Sequence, residues 1–413
     1  MSDARRNELR ADLLSTTSLN PWPGHISSPR LQMFNSHITQ ALPVVGATNR
    51  RCFTGMEAKF GEYTFAITVP HDAHIIKPIQ RYPRTIGANN IKENPETVVI
   101  YEYELKDSNG HPTGVMEVDY ISCPTHHTLH QSFGYRYDYR PMEGELPPSL
   151  AAGETLEEGA VIGRSPNIDR HTGNYRYGLE AETAMMSVPQ IIEDGVVVSE
   201  SFCQKLITTG LETQVISWGK QRFSLNLYGD NDHYKPFPDI GEVVADHGIL
   251  IALREYDDDM APVTMSRSAL RTPDFKYDHC IYVEPGAKIV DVKVHHDARL
   301  RGVIRGKSMD TPVGMSQQVE KYLTAETVFY QSVLNEYRRL MAARKESLRI
   351  SPKLHRLLVE AQAATATGQK QRMVRKYRNV PIDEWRVEIT IEYPIVPTIG
   401  SKLTDCHGGK GVN

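Results

Sequence analysis

The sequence predicts a mainly β protein interrupted by helices, an α+β fold, on three observations. From about residue 60 to 250, short runs dense in β-branched and aromatic residues alternate with clusters of Gly, Pro, Asn and Asp. That is the composition of strands and the turns between them. From Ser316 to Arg349, apolar residues recur at Val319, Tyr322/Leu323, Phe329/Tyr330, Val333/Leu334, Tyr337 and Leu340/Met341, a helical period held over many turns. Strand character then returns at Trp385–Ile391, so the helices form an insert in the β body.

In chain order, residues 1–27 read as a polar lead-in, with a short helix near 3–14 and Pro/Gly-rich coil after it. Strands are expected at Tyr63–Val69, Thr97–Tyr103 and Gly248–Leu253. Pro352 suits the first turn of a second helix, with Leu354, Leu357, Leu358 and Ala361 on one face. Ala361–Gly368 reads as a loop or frayed end, and Gln369–Arg378 is strongly basic. No internal repeat is visible.

A length of 413 residues predicts one large or two moderate domains. Hydrophobic content of 40% with 24% charged residues is that of an ordinary folded chain. The net charge of −4 excludes a uniformly basic nucleic-acid binder, so any such binding must come from local patches. No apolar run approaches the roughly 20 residues needed to span a bilayer. The N-terminal MSDARRNELRADLL carries charge throughout, so no secretory signal is expected. Cys52, Cys123, Cys203, Cys280 and Cys406 are scattered and form no C-x-x-C pair. That predicts a reducing compartment, without a disulfide framework or zinc ribbon.

The segment Gly400–Val412 carries the most chemistry. Lys402 and Lys410 flank a His407-Gly408-Gly409 bend. Glycines permit a sharp turn and close approach to a ligand, and lysines act as point charges on phosphates. A Walker loop is excluded, because Thr404 stands at its first glycine position and Gly411 follows the lysine. Since the sequence stops there, another chain is expected to complete the site. Glu193-Asp194 precedes a β-branched run, the pattern of a solvated turn before a strand. Neighbours on an extended chain point to opposite faces, so at most one of the two faces a given ligand.

Other features read as structural. Asp257-Asp258-Asp259 is a solvated loop. His126, His127 and His130, like His295-His296, lack further ligands for a metal site. The run of Arg and Lys from Arg338 to Arg378 concentrates positive charge in an acidic chain, which suggests nucleic acid or an acidic partner.

Four blocks, in order, resemble the β subunit of multisubunit DNA-directed RNA polymerases. Ser28–Pro43 with Thr54-Gly55-Met56-Glu57 resembles R-x-x-M-x-x-N-x-x-x-Q-A-V-P…T-G-M-E. Gly178-Leu179-Glu180 with Ile192–Glu200 resembles G-x-N…F-E-D-S-I-L-V-S-E. Tyr282–Val292 is similar to the V-x-x-G-x-x-G-x-V-I-D-V strand pair of the flap. The final segment resembles G-D-K-x-x-x-R-H-G-x-K-G-V. The intervening sequence diverges strongly, as in the split subunits of giant bacteriophages.

The resemblance implies a double-psi β-barrel-type hybrid-binding body over 28–212, following the lead-in. A flap-like domain would span 213–394, with the helical insert at 316–378, and the chain would return to the body at 395–413. It implies that Lys402 and Lys410 hold phosphates of the RNA 3′ end and incoming nucleotide. Glu193 and Asp194 would lie near the nucleotide-borne Mg²⁺, which a partner β′-like chain mainly holds. Of the nucleic-acid contacts it implies, Gln40 would lie against the RNA near its 3′ end or be a helix-surface glutamine, Arg30 would contact a phosphate or serve as a structural salt-bridge partner, and His407 would contact the ligand or be a buried support of its loop. The implied partners are β′-like and N-terminal β-like chains, template DNA, the RNA–DNA hybrid, nucleoside triphosphates and an initiation factor at the flap. The implied location is the cytoplasm of a host bacterium, or a virion. Ser401, Cys406, Gly409 and Gly195 replace the family's aspartate, arginine, asparagine and serine, and Ser36 stands at its block's asparagine. A non-catalytic, polymerase-derived nucleic-acid-binding or assembly protein is the alternative. An independent nucleotide-binding enzyme is disfavoured, because no catalytic metal-ligand set is visible.

Overall fold

A computed structural model describes residues 16–63, 66–82, 91–130, 132–139, 150–219, 222–256, 266–297, 315–344, 348–366 and 383–413. Helix α1 spans Ser28–Gln40 and α2 spans Glu57–Tyr63. Strands β1 (Ala66–Thr68), β2 (Ala73–Gln80), β3 (Glu96–Lys106), β4 (Pro112–Pro124) and β5 (His126–His130) follow. Then come β6 (Phe133–Arg136), β7 (Asp138–Tyr139), β8 (Thr155–Leu156) and β9 (Val161–Arg164). A long irregular stretch and one helical turn lead to β10 (Thr208–Trp218), β11 (Arg222–Ser224), β12 (Ile249–Glu255), β13 (His279–Tyr282) and β14 (Lys288–His296). Helices α3 (Gln317–Arg344) and α4 (Pro352–Thr365) flank β15 (Arg349–Ile350). Strands β16 (Trp385–Ile395), β17 (Lys402–Thr404) and β18 (Lys410–Val412) complete the order.

The protein is mixed α+β. Its described strands form five sheets, ordered β15-β4-β3-β2-β8, β14-β16-β10-β6-β5, β11-β12-β13, β1-β9-β7 and β17-β18. Among the described residues none of these closes into a barrel. Strand β3 shows why the first sheet is a middle layer. Side chains alternate across a strand, and here both faces are apolar. Val99, Tyr101 and Tyr103 join Ile75, Ile121 and Tyr135 on one side. Val98 and Ile100 join Ile79, Val118 and residues of α3 and α4 on the other.

Helix α3 ties the two largest sheets together. Val319, Tyr322 and Ala325 pack with Ile289, Val292, Val387 and Ile389 of β14 and β16. Further along, Phe329, Val333, Leu334 and Leu340 pack on β2, β3 and β4 together with α4. The apolar stripe read from the sequence is therefore covered by the chain's own sheets. Where the helix passes between them, the buried Arg81 guanidinium lies 3.2 Å from Asp291 and 3.4 Å from Glu326. The buried Asp239 carboxylate accepts from Tyr322 Oη at 2.8 Å and Gln318 Nε2 at 2.9 Å, fixing the start of α3.

Several sequence expectations shift. Tyr63 ends a helix, and the strand expected from it is confined to Ala66–Thr68. The first helix near 3–14, the aspartates 257–259 and the basic run 369–378 lie outside the described residues. Helix α4 continues through Ala361 to Thr365, with Ser351 Oγ capping Leu354 N at 2.9 Å. The strands on either side of Gly286 do not pair with each other, because β13 joins β12 and β14 joins β16. The 212/213 and 394/395 divisions fall within β10 and β16, which pair continuously from Thr208↔Ile395 to Trp218↔Trp385. No described helix is long and apolar enough to cross a membrane.

Candidate functional site

Strands β17 and β18 form an antiparallel hairpin with Lys402↔Val412, Leu403↔Gly411 and Thr404↔Lys410 opposed. Opposed residues share a face and successive residues alternate. Lys402, Thr404, Lys410 and Val412 therefore occupy one face, and all four are exposed. Gly411, on the other face, is buried. The two lysines stand diagonally, a relation that separates positions by about 7–8 Å. Among the described residues neither has an ion-pair partner, so both charges are available to an anion.

The bend between the strands is built on Asp405. Its Oδ1 accepts from the main-chain N–H of His407 at 2.8 Å and of Gly409 at 2.7 Å. Thr404 Oγ1 donates to Gly409 O at 2.8 Å. This is aspartate's usual way of imitating a backbone turn. It also bears on Gly409, since a Cβ there would meet Asp405 Oδ2 at 2.4 Å and the carboxylate would have to shift. His407 contributes its main chain to the turn, and its side chain is exposed rather than buried as a loop support.

Helix α1 braces this bend. Arg30 Nη1 donates to Gly408 O at 3.1 Å, and the His37 ring lies 2.9 Å from Thr404 Oγ1. Gly408 has φ +83°, and a Cβ there would meet Arg30 O at 2.1 Å, so glycine is required both by conformation and by contact. Gln40 lies at the exposed end of the helix, about one turn past His37. Arg30 thus has a definite structural partner, while its guanidinium stays on the surface. The T-G-M-E match is a hydrogen-bonded turn that leads into α2, with Gly55 at φ +85°. The buried Glu57 carboxylate accepts from Thr54 N at 2.9 Å and Gly55 N at 2.9 Å, and Thr54 Oγ1 accepts from Met56 N at 3.2 Å.

The Glu193-Asp194 turn docks beside the hairpin. Gly195 N donates to Ile192 O at 3.1 Å, and Glu193 sits at φ 55°, alone among described non-glycine residues in having positive φ. Such a conformation costs on the order of 1–2 kcal/mol for an L-residue. Gly195 bridges to Val412 in parallel, and Val196 N donates to Val412 O at 2.9 Å. Gly411 permits this approach, because a Cβ there would meet Asp194 O at 2.3 Å. A side chain at Gly195 would meet Ile191 Cβ at 2.8 Å. Both carboxylates are exposed. No described group of three or more His, Cys, Asp or Glu could hold a metal. The pair suits contact with the water shell of a cation bound chiefly elsewhere, since Mg²⁺ retains several waters.

Several contributors carried no sequence signal of their own. Asn20 Nδ2 donates to Cys406 O at 2.8 Å from a segment read only as lead-in. The Arg50 guanidinium lies 4.8 Å from the Tyr177 ring centroid, hydrogen-bonds its hydroxyl, and neighbours Cys406. Burial pushes the Tyr177 phenol up to about 12 against the pull of Arg50. A cation therefore stands beside Cys406, supplied by another segment. Beside the hairpin and the turn that docks on it, Ile192, Val197, Ile399 and Val412 are exposed. Compared with protein-family models and with curated proteins, the sequence gives no match.

Proposed function

We propose that the chain is a β-like subunit of a multisubunit DNA-directed RNA polymerase, contributing contacts to the RNA 3′ end and the incoming nucleotide. One observation carries the reading. Three of the resemblance blocks, far apart in sequence, meet on a single surface. Arg30 of the first block bonds Gly408 of the last, and Gly195 of the second bridges to Val412 of the last. The Thr54–Glu57 turn of the first block joins the same support through Glu57 O, which accepts from Tyr175 N at 2.9 Å. Surface turns unrelated in function have no reason to converge in this way.

On this reading, Lys402 and Lys410 hold phosphate oxygens on the shared face of the hairpin. Phosphoryl transfer depends mainly on positioning and charge neutralisation, which two fixed cations supply. The Asp405 turn and Arg30 set the angle of the hairpin. The Glu193-Asp194 turn would lie near the water shell of Mg²⁺ that a β′-like partner would hold, with at most one of the two carboxylates turned to it; when bound, that ion supplies charge neutralisation at the phosphates. The double-psi barrel, flap, phage origin and host-cell or virion location belong to the same proposal. The exposed apolar residues beside the hairpin suit coverage by another polymerase chain.

The test is mass spectrometry of the complex purified natively through this chain, with RNA synthesis assayed in the same eluate. Co-purification of a chain carrying Asp-x-Asp-Gly-Asp, with template-dependent synthesis, is expected. Nucleotide incorporation by this chain alone would refute the fragment reading. Stable, stoichiometric assembly into a complex without synthesis would favour the non-catalytic alternative, for which the missing charges at Ser401 and Cys406 speak.

A further inference from the structure

A second surface, away from the hairpin, combines rings and cations in a way the polymerase reading does not use. The turn Asp274–Asp278 leads into β13, the edge strand of its sheet. Asp278 N and Tyr277 N donate to Asp274 O at 2.8 and 3.1 Å, and Asp274 N donates to Asp278 Oδ2 at 2.7 Å. The turn is anchored from beneath by the buried Arg254. Its Nε and Nη2 reach the two Asp278 oxygens at 2.8 and 2.6 Å, and its Nη1 donates to Ala269 O at 3.0 Å. The bidentate pair is the strong form of a charged hydrogen bond.

This anchored turn holds its large side chains outward. Phe275 is 71% exposed and Tyr277 is 78% exposed, with Lys276 between them, and β13 ends on Tyr282 at 57%. Aromatic residues normally bury their large area, so a fixed turn that presents two of them to solvent calls for a ligand. Arg267, Arg271 and Lys276 are also exposed, and among the described residues none has an ion-pair partner. Of the two acids in the turn, Asp278 is neutralised by Arg254. Among the described residues 266–282, Arg267, Arg271 and Lys276 therefore outnumber the one remaining acid, Asp274.

We infer that the Phe275-Lys276-Tyr277 turn is a stacking platform for single-stranded nucleic acid, with the rings taking bases and Arg267, Arg271 and Lys276 taking phosphates. Rings alternating with cations suit a strand whose bases are free to stack. A purely apolar protein anchor gives no reason for the three exposed cations. The platform does not depend on the hairpin, and its function would stand if Lys402 and Lys410 proved inert.

The test uses the full chain and a short fluorescein-labelled oligouridylate followed by anisotropy. Phe275→Ala and Tyr277→Ala should each weaken binding about fivefold to a hundredfold, the range for loss of one base–ring stack. Phe275→Trp should retain it. Lys276→Ala should flatten the salt dependence by about 0.7 in log–log slope. Lys402→Ala with Lys410→Ala reports on the hairpin separately. Because the substituted rings are exposed, the thermal midpoint should not move. A 4-thiouridine oligonucleotide should crosslink within residues 275–282. The proposal is overturned if the oligouridylate does not bind, or if Phe275→Ala and Tyr277→Ala bind as wild type. It is equally overturned if Phe275→Leu matches wild type, or if the matching duplex competes as well as the single strand.

Discussion

Replacing Gly408 by alanine should separate α1 from the hairpin bend, and the size of the effect follows from geometry. At φ +83° an L-residue costs roughly 1–2 kcal/mol. The added Cβ would also lie 2.1 Å from Arg30 O and 2.9 Å from Arg30 C. Both are main-chain atoms of a helix, so neither can rotate away. Relief requires a shift of more than about 1 Å, which breaks the 3.1 Å bond from Arg30 Nη1 to Gly408 O. A hydrogen bond from a charged donor is worth about 1.5–3 kcal/mol, and the exposure of Arg30 places this one at or below the low end. The total is about 2–3.5 kcal/mol. Gly400→Ala is the internal control. Its φ is +92°, but nothing lies within 4 Å of the new Cβ, so only the conformational cost of about 1–2 kcal/mol applies. Urea denaturation gives the two stabilities, and hydrogen exchange at Leu31–Phe34 reports the first turns of α1 directly. If Gly408→Ala were no worse than Gly400→Ala, with exchange unchanged, α1 would not pack on the bend as described.

Three further outcomes are expected. In the assembled complex, Lys402→Ala or Lys410→Ala should slow nucleotide addition by roughly 10²–10³ without dissociating subunits; wild-type speed in the double variant would make them ordinary surface residues. Burial opposes ionisation of Glu392, but His126, Arg136 and Lys288 outweigh it and hold its pKa below the ordinary 4.5. Asp239 is likewise held below 3.8, with Lys321, Gln318 and Lys235 outweighing burial. A lowered folded-state pKa stabilises above the ordinary value and is lost as pH falls through the folded value. Stability should therefore fall below about pH 4.5, and Glu392→Gln should flatten that fall in urea midpoints taken across the acid range; an unchanged slope would contradict the assignment. Phe329→Ala should cost about 3–5 kcal/mol, and deleting 316–378 should unfold the sheets it covers; a folded deletion variant by circular dichroism would restore the separable-insert reading.

The sequence exposes some of these features and conceals others for physical reasons. Strand β3 is legible because Val98–Tyr103 is β-branched or aromatic almost throughout. Helix α3 is legible because its period persists for many turns. Its landing on two sheets is not, because that depends on contacts such as Arg81 with Asp291 across a sequence separation of 210. The Tyr63 region misleads because its aromatic and β-branched run follows directly on a helix, Glu57–Tyr63, that the Thr54–Glu57 turn leads into. The Tyr282–Val292 turn resembles a hairpin, yet each strand finds its partner elsewhere. At the site, the lysines and carboxylates stand out by pattern. Asn20 and Arg50 do not, since Asn20 reaches Cys406 across a separation of 386.

The central claim is that the hairpin lysines touch the growing RNA end. Affinity labelling of the purified complex tests it most directly, using a lysine-reactive nucleotide bound opposite a defined template base and peptide mapping of the adduct. The account predicts labelling at Lys402 or Lys410, dependent on template and on the complementary base. A complex that synthesises RNA while the label never enters residues 400–413 would contradict it.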